Sequence, residues 1–186
     1  MLTINRFLSI LFLLTVSALY GSFIIYYIDE QKTKASMINE DFNRVLHETA
    51  YTITTELNNI NSINNFRALL DRKVVQNPLI SALAIFKGQT PIISTDPDIH
   101  QRPSKTQDHI VNTQPVLDAI LHNKVHQLNF EIYPQNQTIK LNIYLFANQA
   151  KIESYFSNAL EKYVMYFIIP TLLISLLLYW LLQVLL

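Results

Sequence analysis

Few residues of this chain are equipped for chemistry, and their spacing restricts what they can do. His122 and His126 stand four apart, a spacing that on a helix puts both imidazoles on one face and permits metal binding. Asn123 and Lys124 end the helical pattern there, and His126 opens an alternating segment, so the expectation is two partly exposed histidines. Asp96, Asp98 and His100 alternate in a loop and offer oxygen and nitrogen ligands. Pro97 stiffens that segment, and the glycine that a calcium loop needs for its sharp turn is missing, so a solvated loop is expected. The chain has no cysteine nucleophile, no Gly-x-Ser-x-Gly turn and no His-Glu-x-x-His helix. Its two glycines are too few for a glycine-rich phosphate cradle. A non-enzymatic protein without cofactor or metal is the reading. Asn136-Gln137-Thr138 matches a glycosylation sequon, which has meaning only in a eukaryotic secretory pathway.

The elements that would position these residues follow from where the charges fall. Half of the 186 residues are hydrophobic, and fourteen basic and fourteen acidic residues cancel, so nothing points to nucleic acid. Residues 7–28 and 163–186 form runs of 22 and 24 residues without a charge. Each exceeds the roughly 20 residues needed to cross a bilayer core of about 30 Å. All the acidic residues, and every basic residue except Arg6, lie between these runs. The sequence therefore predicts a short amino terminus (1–6), a first transmembrane helix (7–28), a central domain (29–162) and a second transmembrane helix (163–186). A cleaved signal peptide ending near Val16-Ser17-Ala18 is the rival for the first run. The apolar residues continue through Ile28, longer than an ordinary signal core, which favours an uncleaved anchor. Arg6 favours a cytoplasmic start; Lys32, Lys34, Lys151 and Lys162 do not decide orientation, because the charge rule fades for loops longer than about 60 residues.

Within the central domain, Ile38, Phe42, Val45, Thr49, Ile53, Leu57 and Ile60 recur in steps of three and four, predicting one helix over about 29–61. Its stripe serves as a dimer seam, as the face that packs on a sheet, or as both, the second being commoner for a single stripe of three or four heptads. A short helix is expected at 62–75, ended by Pro78. Residues 79–95 read as a buried hairpin turning at Gly88. Residues 96–109 read as loop and 115–121 as a short helix. A second hairpin alternates through Leu128, Phe130 and Ile132, turns at 134–137, and returns through Ile139, Leu141, Ile143 and Leu145. From Asn148 a helical pattern with Ile152, Tyr155, Phe156, Ala159, Leu160 and Tyr163 on one side feeds the second apolar run, where Pro170 is expected to kink it. The fold class expected is α+β: a small antiparallel sheet with helices packed on one face.

The stretch Asn77-Pro78-Leu79-Ile80-Ser81-Ala82-Leu83-Ala84-Ile85-Phe86-Lys87-Gly88, followed by Ile92-Ile93-Ser94-Thr95-Asp96-Pro97, resembles the first sheet hairpin of the Cache and PAS-like extracytoplasmic sensor domains of bacterial transmembrane receptors. The motif covers about twenty residues, and the architecture resembles theirs over most of the chain. The turn is shorter than in those domains and lacks the acidic residue that often follows the first strand. No HAMP-type linker, kinase, cyclase or methyl-accepting coiled coil lies within the 186 residues, so output is expected from a longer receptor or from a partner.

The resemblance implies a ligand cavity between the sheet and the loop-plus-helix layer over it. Arg72, Lys73, His100 and Arg102 are the cations near that region, and an arginine fork suits a carboxylate. Ser94, Thr95 and Tyr144 would add hydrogen bonds. The expected partners are the lipid bilayer, a small carboxylate or amino-acid-like ligand, and a second copy or a partner membrane protein. The implied location is the bacterial inner membrane, spanned twice, with the domain in the periplasm. The expected function is a sensor input module that relays binding through two membrane-continuous helices. A structural or assembly subunit that docks a protein is the alternative. A polysaccharide chain-length regulator ranks third, since those have a larger domain and a proline-richer second span.

Overall fold

The computed structural model describes residues 2–57, 60–101, 103, 124–134 and 137–185. The segment expected as a helix at 115–121, together with Arg102, His122 and Asn136, lies outside the described residues. The chain divides into two compact units, one formed by Met1–Thr33 with Ser154–Leu186, the other by Lys34–Glu153.

The unit 34–153 is α+β, with a four-stranded antiparallel sheet and a long N-terminal helix. That helix, α1 (Leu2–Glu56), runs without a break. No proline occurs in it, so every residue can donate to the hydrogen-bond ladder. At 1.5 Å per residue, α1 is about 80 Å long. Ala35, Ile38, Phe42, Val45, Leu46, Thr49, Ala50, Ile53 and Leu57 are buried along one side, at the spacing the sequence predicts. The stripe packs on the sheet of its own chain: the Phe42 ring meets His126 edge-on, with centroids 5.0 Å apart. Thr49 satisfies its buried hydroxyl by donating to the Val45 carbonyl at 2.6 Å.

After α1 the chain tightens into a 3-10 turn (Ile60–Phe66) and helix α2 (Arg67–Gln76). The extended backbone of Asn77, as expected before a proline, ends α2. The Asn77 amide donates to Asp41, and its Oδ1 accepts from the Leu79 N–H at 3.1 Å, fixing the entry to the sheet. Lys73 reaches Glu48 at 2.6 Å, so α2 lies beside α1. The hydrogen bond from Lys73 holds the Glu48 carboxyl below the usual carboxylate range.

Strands β1 (Ile80–Lys87), β2 (Thr90–Ser94), β3 (Val125–Ile132) and β4 (Ile139–Ala147) lie in the order β2-β1-β4-β3. The two strands with the longest apolar runs take the centre. Gly88 makes the β1–β2 turn at φ 62°, a left-handed conformation that only glycine adopts without strain. Pro91 sits opposite Phe86 at a bulge in the β2 edge, where a missing N–H costs no ladder bond. Alternation gives the sheet two faces. Leu83, Ile85, Ile93, Leu141, Ile143, Leu145 and His126 face α1, whereas Ala82, Ala84, Phe86, Tyr144, Phe146 and Val125 face the other way. The second face is not bare: Ala84, Phe86 and Tyr144 are fully buried, with Ile99, Val125 and Phe146 packed against them. A large apolar side chain fully buried in this way, such as Phe86, stabilises the fold by about 1.5–3 kcal/mol.

The carboxyl-terminal helices begin in this unit and continue into the other, Met1–Thr33 with Ser154–Leu186. Asn148 caps α3 (Gln149–Tyr163), its Oδ1 accepting from the Lys151 N–H at 3.2 Å. Of the face expected on α3, Ile152, Phe156 and Tyr163 are buried, while Tyr155 and Leu160 are exposed. A π-turn over Val164–Ile168 joins α3 to α4 (Ile169–Leu185). The Ile169 N–H bonds to the Val164 carbonyl, five residues back, immediately before Pro170. The wide turn directly precedes Pro170, whose ring crowds the preceding turn, and widening the ladder there relieves the crowding. Within that other unit Phe12 faces Tyr179, Phe23 faces Phe167 and Tyr27 faces Tyr163, with centroids 5.6, 6.3 and 5.0 Å apart. The Tyr163 hydroxyl donates to the Phe23 carbonyl at 2.5 Å. The two apolar helices thus run antiparallel with an aromatic seam, their outer sides exposing residues such as Leu13, Tyr166 and Leu177. Both are long and apolar enough to cross a membrane, by length and composition.

Candidate functional site

The face of the sheet turned away from α1 gathers polar side chains at one end and an apolar floor at the other. The register places Ser94, Ala84, Tyr144 and Gln127 in one row across all four strands. Ala84 is small, so the Tyr144 ring lies fully buried beside it, edge-on to Phe86 at 5.3 Å and 81°. One row towards the β1–β2 turn, Asn142 pairs with Asn129, and one row further Lys140 pairs with Glu131. These residues bound a groove of about 450 Å³ lined by Gly88, Gln127, Asn129, Glu131, Lys140 and Asn142, with Phe130 and Leu141 along the strands between them. The Gln127 amide donates to Asn129 Oδ1 at 2.5 Å. Lys140 and Glu131 approach to 3.6 Å, and the Tyr133 hydroxyl donates to Glu131 at 3.0 Å. The hydrogen bond to the Glu131 carboxylate raises the Tyr133 phenol above its ordinary value.

Tyr144 and Ser94 lie on this face, and the Ser94 and Thr95 hydroxyls foreseen as ligand contacts are engaged in holding the chain. Ser94 Oγ donates to the Asp96 carbonyl at 2.7 Å and accepts from the Asp96 N–H at 3.2 Å. Thr95 Oγ1 accepts from the Leu83 N–H, and the Thr95 N–H donates to the Leu83 carbonyl, each at 3.0 Å, which closes β2 onto β1. Arg72 is exposed on α2, in the layer of α1 and behind the sheet from Tyr144. His100 is exposed, its N–H bonded to the Asp98 carbonyl at 3.1 Å. Arg102 lies outside the described residues. Arg72 and Lys73, both on α2, therefore lie away from the Tyr144 face.

Gln127, Asn129 and Asn142, by contrast, escaped the sequence reading, because alternation assigns them to the solvent side of their strands. Three carboxamides on that side of neighbouring strands are the signal that would have found them. Asp96 Oδ1 accepts from the Asp98 N–H at 3.0 Å, a turn cap and not a ligand set. No cluster of three metal-ligating side chains occurs among the described residues. His126, expected to be partly exposed, is half-buried, its ring against Phe42 with its Nε2 buried and unpartnered, and burial lowers its pKa. Comparison with protein-family models, curated proteins and solved structures returns no match.

Proposed function

We propose that this chain is the input module of a bacterial transmembrane receptor, a Cache- or PAS-like domain held between two membrane-spanning helices. Its domain faces the periplasm and binds a small ligand or a partner protein. The observation that carries this reading is the continuity at both ends of the sheet. α1 runs unbroken from the first apolar run to Glu56, and the chain is helical from Gln149 to Leu185 through the π-turn. A binding event that favours one arrangement of the domain over another then has two rigid elements through which to act, provided the ligand distinguishes the two states. The exposed apolar outer sides of these helices support insertion in lipid, since a surface of that kind is unfavourable in water.

The chain has no cysteine, so single cysteines report topology without a background. With Met37→Cys, a membrane-impermeant maleimide is expected to label intact cells from the periplasmic side. Leu13→Cys and Leu177→Cys are expected to react only after solubilisation. Labelling of the two apolar positions in intact membranes would refute the spanning assignment. Labelling of Met37→Cys only from the cytoplasmic side would reverse the orientation.

A further inference from the structure

The groove on the Tyr144 face carries its own statement about ligand charge. Among the described residues lining it, the charged groups are Glu131 and Lys140, which oppose each other in register and approach to 3.6 Å. A carboxylate entering towards Lys140 meets Glu131 at the same place, and an ammonium entering towards Glu131 meets Lys140. The remaining polar side chains, Gln127, Asn129 and Asn142, are neutral amides, each offering both donors and an acceptor. That combination complements hydroxyl and amide groups, which also donate and accept. The volume of about 450 Å³ falls within the ordinary range for small-molecule sites. Of the cations expected to hold a carboxylate, Arg72 and Lys73 stand behind the sheet, on α2.

We propose that the groove bounded by Gln127, Asn129, Glu131, Lys140 and Asn142 is a binding site for an uncharged small molecule rich in hydroxyl or amide groups, and not for a carboxylate. This rests on the input-module reading and specifies its ligand class. Binding pairs the amides with the ligand in place of water, and the Glu131–Lys140 pair closes one end of the groove.

The test uses the full chain in lipid nanodiscs and reads the thermal midpoint against millimolar myo-inositol, glucose, N-acetylglycinamide, glycine and succinate. Polyols also stabilise proteins by exclusion from the surface, so only a saturable shift counts, compared between wild type and variants. A neutral probe is expected to give such a shift. The double substitution Gln127→Ala with Asn129→Ala is expected to weaken it about tenfold or more, as lost hydrogen bonds require. Asn142→Ser should weaken it as well, which guards against misfolding of the double variant, and Arg72→Ala should leave it unchanged. Saturation by succinate or glycine alone would overturn the ligand class while leaving the input-module reading intact. Neutral binding that survives the groove substitutions, or no saturable shift with any probe, would overturn the site. A neutral probe that binds in the groove yet leaves the seam between the apolar helices unaltered would count against the relay while sustaining the ligand class.

Discussion

Replacing Phe42 by alanine tests the packing on which the domain depends. Phe42 is fully buried in the middle of the α1 stripe, its ring against His126 of β3. A Phe→Ala change in such a site loses the transfer energy of the ring and leaves a cavity, about 3–5 kcal/mol together. Lys34–Glu153 spans 120 residues. At about 0.05–0.15 kcal/mol per residue, a unit of this size has a total stability of about 6–18 kcal/mol. Its unfolding entropy is about 0.25 kcal/mol/K, so the midpoint should fall by about 12–20 °C. The assay is thermal unfolding of the full chain in nanodiscs, followed by near-UV circular dichroism. Met37, on the same helix but 63% exposed, is the control, and Met37→Ala should cost less than about 0.5 kcal/mol. A Phe42→Ala midpoint no lower than that of Met37→Ala would refute the reasoning. It would mean that the stripe does not pack on its own sheet, and the dimer-seam alternative would return.

Three further outcomes follow from local geometry. Burial lowers the His126 pKa below its unfolded value of about 6.5, so below that pH the unfolded chain takes up a proton that the folded chain refuses. Stability is full above pH 6.5 and should fall, by up to about 1.4 kcal/mol per pH unit, as the pH drops toward the folded value. In His126→Phe, denaturant midpoints measured between pH 7.5 and 5 should lose this component of the slope. Gly88→Ala should cost about 1–2 kcal/mol through its left-handed backbone alone, since a Cβ there meets nothing within 4 Å; a neutral result in chemical denaturation would contradict the turn geometry. Thr95→Val should cost about 1–3 kcal/mol by removing the acceptor of the Leu83 N–H, with faster hydrogen exchange at Leu83; unchanged exchange there would contradict the bond.

The sheet was legible because strand alternation and apolar content act over a few residues. Leu128, Phe130 and Ile132, and then Ile139, Leu141, Ile143 and Leu145, lie on one face in register, and Gly88 turns the first hairpin. The continuous α1 was legible from the absence of proline. The candidate site was not, because it depends on pairing between strands. Only the register brings Asn129 opposite Asn142 and Glu131 opposite Lys140. Ser94 and Thr95 are the hydroxyls a ligand reading would choose, yet the same position at a strand end makes them natural turn and ladder partners. Arg72 is near the first hairpin in sequence, but Leu70 turns inward on α2 and leaves Arg72 outside, in the other layer. Pro170 announced a distortion, while the form it takes, a π-turn, depends on how the preceding carbonyls are satisfied. Phe42 and Ile152, one on each of the helices that continue into an apolar run, are both fully buried. An interruption there would unfold the domain before it uncoupled anything. Lys32 and Glu161, both exposed, are the sites for it.

The relay itself is tested by disulfide formation between Phe12→Cys and Tyr179→Cys, whose native rings lie 5.6 Å apart, in the full chain in nanodiscs. The account predicts that a neutral probe bound at the groove changes the rate of this crosslink. It also predicts that a Gly-Gly insertion after Lys32 or Glu161 abolishes the change without abolishing the thermal shift. A crosslink rate that is the same with and without bound probe would contradict it.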